Sequence, residues 1–192
     1  LFLQFTSDMQ MICTAPIRER ATIGGNLANA SPIADMAVFF LALDAQLLLI
    51  SRTGEPRPVA LKNFFKGYKQ VDLQAGERID ELSFACPPPP LLFSFEKVGK
   101  RPHADIASVN SAMFLELQEE ILRTVHLSAG GVAPVPLYLE KTCACLSGRP
   151  VSAAGIRQAL DIAQTEITPI SDLRGSSGRS EERRVGKECR SR

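Results

Sequence analysis

Histidine is nearly absent from this chain: only His103 and His126 occur among 192 residues. Neither has a companion ligand or carboxylate at the spacing that a metal site or a general base needs. Cysteine is present but unorganised. Five cysteines, scattered and odd in number, make no disulfide framework in a chain of this length. Cys143 and Cys145 stand too close for a zinc pair and have no second pair, and no C-x4-C-x2-C run is available for an iron–sulfur cluster. The thiols read as small packed hydrophobes of a cytoplasmic protein. Long apolar runs are missing too. The longest, Met36 to Leu43, is followed by Asp44 and Gln46; it is too short to span a bilayer and predicts a buried helix feeding a strand. No signal peptide precedes it, and a start at Leu1 rather than Met is what the inside of a longer gene product would show. Nor does charge of one sign dominate. The formal net charge is +1, but Arg179 to Arg192 hold six Lys/Arg and three Glu, so the rest of the chain carries 16 basic and 18 acidic residues. That balance points to neither nucleic acid nor a membrane surface. The Rossmann spacing G-x-G-x-x-G is absent as well.

What the chain does contain is Ala21-Thr-Ile-Gly-Gly-Asn-Leu-Ala-Asn-Ala-Ser-Pro-Ile-Ala-Asp35. An isolated Gly-Gly reads as a turn entering a helix. Here the pair Gly24-Gly25 stands within fifteen residues of small polar side chains closed by a carboxylate. Glycine lets the main chain approach a ligand without a Cβ in the way, and adjacent N–H groups then face a phosphate or pyrophosphate. Thr22, Asn26 and Ser31 add short polar groups that cost little entropy to fix. Asp35 is an acceptor suited to a ribose hydroxyl.

This run resembles the flavin-binding segment of the xanthine dehydrogenase family, the FAD subunit of molybdenum hydroxylases. The resemblance implies that Thr22, Ile23, Gly24, Gly25 and Asn26 hold the FAD pyrophosphate, and that Ser31 to Asp35 meet the adenosine part. Three later landmarks are similar to the same family: Phe95-Glu-Lys-Val-Gly-Lys-Arg101 with Asp105-Ile-Ala, Ser128-Ala-Gly-Gly-Val-Ala-Pro134, and Thr168-Pro-Ile-Ser-Asp-Leu-Arg-Gly175. The likeness thus runs from Leu1 to about Gly178, closest to bacterial xanthine dehydrogenase small subunits.

Along the chain, Pro32 lies close to the first turn of a helix near Ile33 to Leu43. Strands are expected over Ala45 to Ser51, Pro58 to Leu61 and Glu77 to Phe84, with a turn at Thr53-Gly54 and a compact aromatic turn at Asn63 to Tyr68. The four prolines Pro87 to Pro90 read as a stiff boundary or a loop insertion, through which little packing is expected to continue. Strands over Leu92 to Val98, Ile106 to Glu116 and Ile121 to Ser128 follow, the last two joined by a polar turn at Gln118 to Glu120. A flexible loop over Ala129 to Pro134 and helices over Leu137 to Leu146 and Val151 to Gln164 come next, with Ser152 capping the second. Strands, then a hairpin, then helices predict an α+β arrangement. With the resemblance, the expected fold class is the C-terminal part of a vanillyl-alcohol-oxidase/PCMH-type FAD-binding domain over 1–86, followed by a CO-dehydrogenase-flavoprotein C-terminal-like α+β domain over 91–178. Residues 179–192, charged and almost without apolar content, read as a disordered tail. They also resemble the conceptual translation of a sequencing-library adapter, so native sequence is expected to stop near Gly178.

The resemblance assigns two further site residues. Lys97 corresponds to a family lysine near the flavin, where a cation stabilises the reduced anion; a lone lysine is otherwise a solvated surface charge. Ile79 falls where the family has an apolar residue whose backbone contacts the flavin, although such a strand buries an Ile regardless. Lys100, Arg101 and Asp105 lie in a loop that borders the flavin in the family, where Arg101 is a partner either for an NAD phosphate or for Asp105. Two departures stand out: Ile12 occupies a position where the family has an aromatic residue, and the family's first pyrophosphate loop would precede Leu1. No metal-ligating residue is expected. The function implied is FAD binding within a cytoplasmic molybdenum hydroxylase of the xanthine dehydrogenase type. Its partners would be a molybdopterin-binding large subunit, 2Fe-2S clusters on an iron–sulfur subunit or domain, and NAD as electron acceptor. The alternatives are the flavin subunit of a carbon monoxide, nicotinate or aldehyde enzyme, or a non-catalytic remnant.

Overall fold

The structure is a computed structural model that describes residues 5–86, 91–99 and 105–170. Its element order is α1 (Phe5–Met11), α2 (Ala15–Arg18), α3 (Ile23–Ala28), α4 (Asp35–Leu41), β1 (Gln46–Ile50), β2 (Pro56–Ala60), α5 (Leu61–Phe64), β3 (Phe65–Gly67), β4 (Gln70–Val71), β5 (Arg78–Ser83), β6 (Leu91–Val98), β7 (Val109–Gln118), β8 (Ile121–Gly130), β9 (Leu137–Tyr138), α6 (Glu140–Leu146), β10 (Arg149–Pro150) and α7 (Ala153–Glu166). The class is α+β. Among the described residues the strands form an antiparallel sheet β2-β1-β5, a larger antiparallel sheet β10-β8-β7-β6 with β9 also on β8, and the small pair β3-β4.

The apolar run behaves as its composition predicts. In α4 every residue from Ala37 to Leu41 is buried, because the helix packs on β7 and β8 and, through Phe40, on Phe84 just past β5. It then feeds β1, where Leu47 and Leu49 alternate inward. The β7–β8 hairpin turns at Glu119 and Glu120, both with positive φ, 50° and 65°. This left-handed pair is the geometry that matches the twist of a two-residue hairpin. Ser152 does cap α7, its hydroxyl accepting from the Gly155 amide at 3.0 Å.

Several expectations need correction. Thr22 to Asn26 is not a turn leading into one helix: residues 23–28 make their own helix, and α4 follows after a buried link. Leu137 and Tyr138 add a short strand to β8 before α6 begins at Glu140. The aromatic stretch Asn63 to Tyr68 is the end of α5 followed by β3. Ala129 to Pro134 is not a flexible loop, since Ala129, Val132 and Ala133 are buried and the Gly131 amide donates to the Pro32 carbonyl at 2.9 Å.

The expected break in packing near Pro87–Pro90 does not occur. One core runs through both halves: Phe39 of α4 meets Phe93 and Phe95 of β6, with ring centroids 4.6 and 6.0 Å apart, and the Ser128 hydroxyl of β8 donates to the Val38 carbonyl at 2.6 Å. Sequence suggested a division because prolines stiffen the chain locally, but chain stiffness does not dictate which faces pack. Pro87 to Pro90, Lys100, Arg101, His103 and the tail 179–192 lie outside the described residues.

Candidate cofactor site

The nine residues singled out from sequence fall into two clusters. The first surrounds the beginning of α3. Thr22 has extended backbone and caps the helix, its hydroxyl oxygen accepting from the Gly25 amide at 3.0 Å. A Cβ on Gly25 would sit 2.8 Å from that oxygen, so a side chain there would make the cap shift. The Gly25 amide is therefore not available to a phosphate. The available amides are one and two residues earlier: among the described residues, no acceptor takes the N–H groups of Ile23 and Gly24. Under the same turn, the Asn26 side-chain oxygen is enclosed and has no hydrogen-bond partner.

Beside this turn lies a groove of about 350 Å³ between α3 and β5, lined by Ile23, Gly24, Leu27, Ile79, Leu82 and Phe84 together with the carboxylate residues Asp80 and Glu81. Gly24 and Ile79, distant in sequence, face each other across it. A Cβ on Gly24 would come 4.0 Å from the Ile79 Cβ and meet nothing closer. The missing side chain thus opens a cradle rather than avoiding a clash. Two free amides and a largely apolar wall fit a ligand that carries phosphate and a flat apolar body, which is the chemistry of FAD. The groove has room for one portion of such a dinucleotide.

The second cluster is a buried polar network under α4. The Lys97 ammonium donates to Asp35 Oδ2 at 2.7 Å and to the Met11 carbonyl at 3.0 Å. The Asn110 amide donates to Asp35 Oδ1 at 2.6 Å and to the Ile33 carbonyl at 3.2 Å. The side chains of Lys97 and Asp35 are 6% and 11% exposed, and Asn110 is 1% exposed. Ser31, also buried, belongs to the link between α3 and α4. Asp35 and Lys97 were placed by the resemblance at the adenosine and flavin ends of the cofactor. The structure brings the two into direct contact and gives Asp35 a cation and an amide as partners.

Sequence reasoning missed Asn110. A signal was available: on β7, Asn110, Ala112 and Phe114 share the buried face, and an asparagine in such a row needs a polar partner. Elsewhere, no group of three or more His, Cys, Asp or Glu among the described residues is placed to hold a metal. No described helix is long and apolar enough to cross a membrane. His126 accepts or donates at 2.7 Å to the Tyr138 hydroxyl and stacks near Phe114, and burial pushes its pKa down.

Comparison with known proteins agrees with this chemistry. Residues 2–84 match the model of the FAD binding domain in molybdopterin dehydrogenase, and residues 94–178 match the CO dehydrogenase flavoprotein C-terminal domain. The chain is 31% identical over 177 residues to xanthine dehydrogenase 1 of Arabidopsis thaliana, covering 89% of this chain and 13% of that protein. It is 30% identical over 164 residues to the glyceraldehyde dehydrogenase medium chain of Sulfolobus acidocaldarius, covering 84% of this chain and 56% of that one. Among solved structures, a cyanide-inactivated Cu,Mo-CO dehydrogenase superposes with a TM-score of 0.81 at 28% identity, over 91% of this chain and 61% of that chain. The chain therefore spans little more than half of the separate flavoprotein chains it matches, and a small part of the plant enzyme. With the groove beside Gly24 and the sheet behind α4 both accounted for, this chain belongs to the flavoprotein family of the molybdopterin dehydrogenases, with the family's FAD-binding domain followed by its C-terminal domain.

Proposed function

We propose that this chain is the FAD-holding part of a molybdenum hydroxylase of the xanthine dehydrogenase type. In that assembly, electrons from a molybdopterin-binding subunit pass through 2Fe-2S clusters to FAD and leave to NAD. The observation that carries the cofactor reading is the start of α3, where the Ile23 and Gly24 amides face no protein acceptor beside the cradle left by Gly24. FAD, when bound, supplies the redox chemistry that couples one-electron clusters to hydride transfer. The protein's share is placement and electrostatics. Ile23 and Gly24 donate to the diphosphate, and Asn26 belongs to the same turn. Ile79, Leu82 and Phe84 keep water from one side, and Lys97 supplies a held positive charge. Thr22 and Gly25 act one step back by fixing the turn, and Ser31 and Asp35 by fixing the link and the lysine. The division of labour between residues 1–86 and 91–178 follows the two family matches, while the packing joins them.

The test is a titration of FAD into the chain, followed by quenching of flavin fluorescence. Gly24→Ala is the informative variant. Its new methyl has room in the protein and suits a helix better than glycine by up to about 1 kcal/mol, so thermal stability should hold or rise. The same methyl projects into the cradle, so FAD affinity should fall at least tenfold. Equal affinity for both proteins, or no flavin uptake by the wild type, would overturn the reading, the latter in favour of a non-catalytic remnant. A flavin subunit of another molybdenum hydroxylase is the second reading, supported by the likeness to CO dehydrogenase. Anaerobic NADH separates the two: bleaching of the bound flavin supports NAD as the physiological acceptor, and an unchanged spectrum supports the second reading.

A further inference from the structure

Three strands bring one row of residues into direct opposition. Lys97 on β6 pairs with Asn110 on β7, and Asn110 pairs in turn with Gly130 on β8. Asp35, the first residue of α4, hangs over this row and meets two of its members. We propose that Asn110 is a positioning residue of the cofactor site, holding Asp35 so that the Lys97 ammonium is presented in one fixed orientation; this rests on the FAD reading given above.

The geometry supports a device rather than a chance contact. A carboxylate between one cation and one amide has both oxygens committed, Oδ2 to Lys97 and Oδ1 to Asn110, and cannot swing. The Ile33 carbonyl takes the other proton of the same Asn110 amide, which ties the network to the link that enters α4. Lys97 has three protons, and among the described residues two of them are taken, by Asp35 and by Met11. The third has no acceptor among the described residues, on a side chain that is 6% exposed. Asn110 itself is held by an unusual fit. Its own side-chain oxygen is buried without a partner, and a Cβ on Gly130 would lie 2.1 Å from it, so only glycine at 130 lets the asparagine occupy this rotamer. A leucine or alanine at 110 would leave Asp35 Oδ1 and the Ile33 carbonyl without their donor, so the network depends on the asparagine amide even though its own oxygen stays unmet.

The experiment compares Asn110→Ala with Asn110→Ser in the full chain. Both are small and differ by one hydroxyl donor, which in serine can reach Asp35 through a water. Two signals are measured: the solvent exchange of the Lys97 ammonium protons by nitrogen-labelled NMR, and the midpoint potential of bound FAD by spectroelectrochemistry. For Asn110→Ala the inference expects Lys97 exchange to quicken at least tenfold. It also expects the ratio of reduced to oxidised FAD binding to fall about tenfold, equivalent to about 30 mV for a two-electron couple. For Asn110→Ser both signals should return most of the way to wild type. If wild type binds FAD and neither variant moves either signal, the positioning role is wrong and the cofactor reading stands. If both variants shift equally, packing and not the donor is what matters, and the role is again wrong. If wild type takes up no FAD, the cofactor reading falls and the inference falls with it.

Discussion

At the scale of single residues, the two glycines of the Gly-Gly pair serve different ends. Gly24 leaves room, while Gly25 avoids a collision with the hydroxyl that caps its own helix. The two are therefore separable by mutation. Gly25→Ala should expel the Thr22 hydroxyl from its capping position, and the lost N-cap, about 1 kcal/mol, should cancel the gain of similar size that alanine brings to a helix. Chemical denaturation of the variant checks this, and a midpoint raised as far as that of Gly24→Ala would show that the cap contributes nothing. The contrast with Gly24→Ala, which should spare stability and weaken FAD binding, is the sharpest residue-level test of the site. Sequence pointed to the pair because its glycines let the backbone approach a ligand within a run of small polar residues. It could not distinguish them, since the distinction lies in what each Cβ would meet.

Among the elements, β5 carries the apolar wall of the groove, and its approach is fixed by a bidentate ion pair. Arg57 on β2 donates to both Glu77 oxygens, at 2.9 and 2.7 Å, and the Gln74 amide adds a third bond at 2.8 Å. The Arg57 guanidinium first, and the Gln74 amide second, hold the Glu77 carboxyl well below the ordinary glutamate range, at about 2. A carboxylate depressed in the fold contributes stability above its unfolded pKa and loses it as pH falls through the folded value. The wild type should therefore lose stability relative to Glu77→Gln as pH drops from about 4.5 to about 2, with the difference gone below that. Melting curves of the two proteins across this range test it; a difference independent of pH would count against the pair. The strand itself was legible through the resemblance, from its place after the aromatic stretch Asn63 to Tyr68. The ion pair was not, because its partners stand twenty residues apart on strands whose register is set by β1.

At the scale of the whole molecule, α4 joins the two halves of the chain. Phe39 is 1% exposed and contacts rings from β6, Val38 packs against Gly130 of β8, and Phe40 meets Phe84, just past β5, with ring centroids 6.0 Å apart. Probes in the two halves should thus report a single unfolding transition rather than two. Phe39→Ala should destabilise both halves together by about 3–5 kcal/mol, the usual cost of emptying such a site. Amide hydrogen exchange on β1 and on β7 gives the readout. Loss of protection confined to one sheet would mean that the core is not shared.

What the sequence determined by itself was the local and the periodic: the buried helix after Asp35, the strands on either side, the hairpin at Glu119-Glu120, the cap at Ser152, and the glycine-rich run with its likeness to a flavin-binding family. These are written in neighbouring residues, where spacing and side-chain chemistry act over a few positions. Only the tertiary structure decided which amides remain free, that Gly24 faces Ile79, that Asp35 and Lys97 bind each other, and that Asn110 holds them. Each of those depends on a distance between segments remote along the chain, and such distances are set by how α4 packs on both halves of the chain at once.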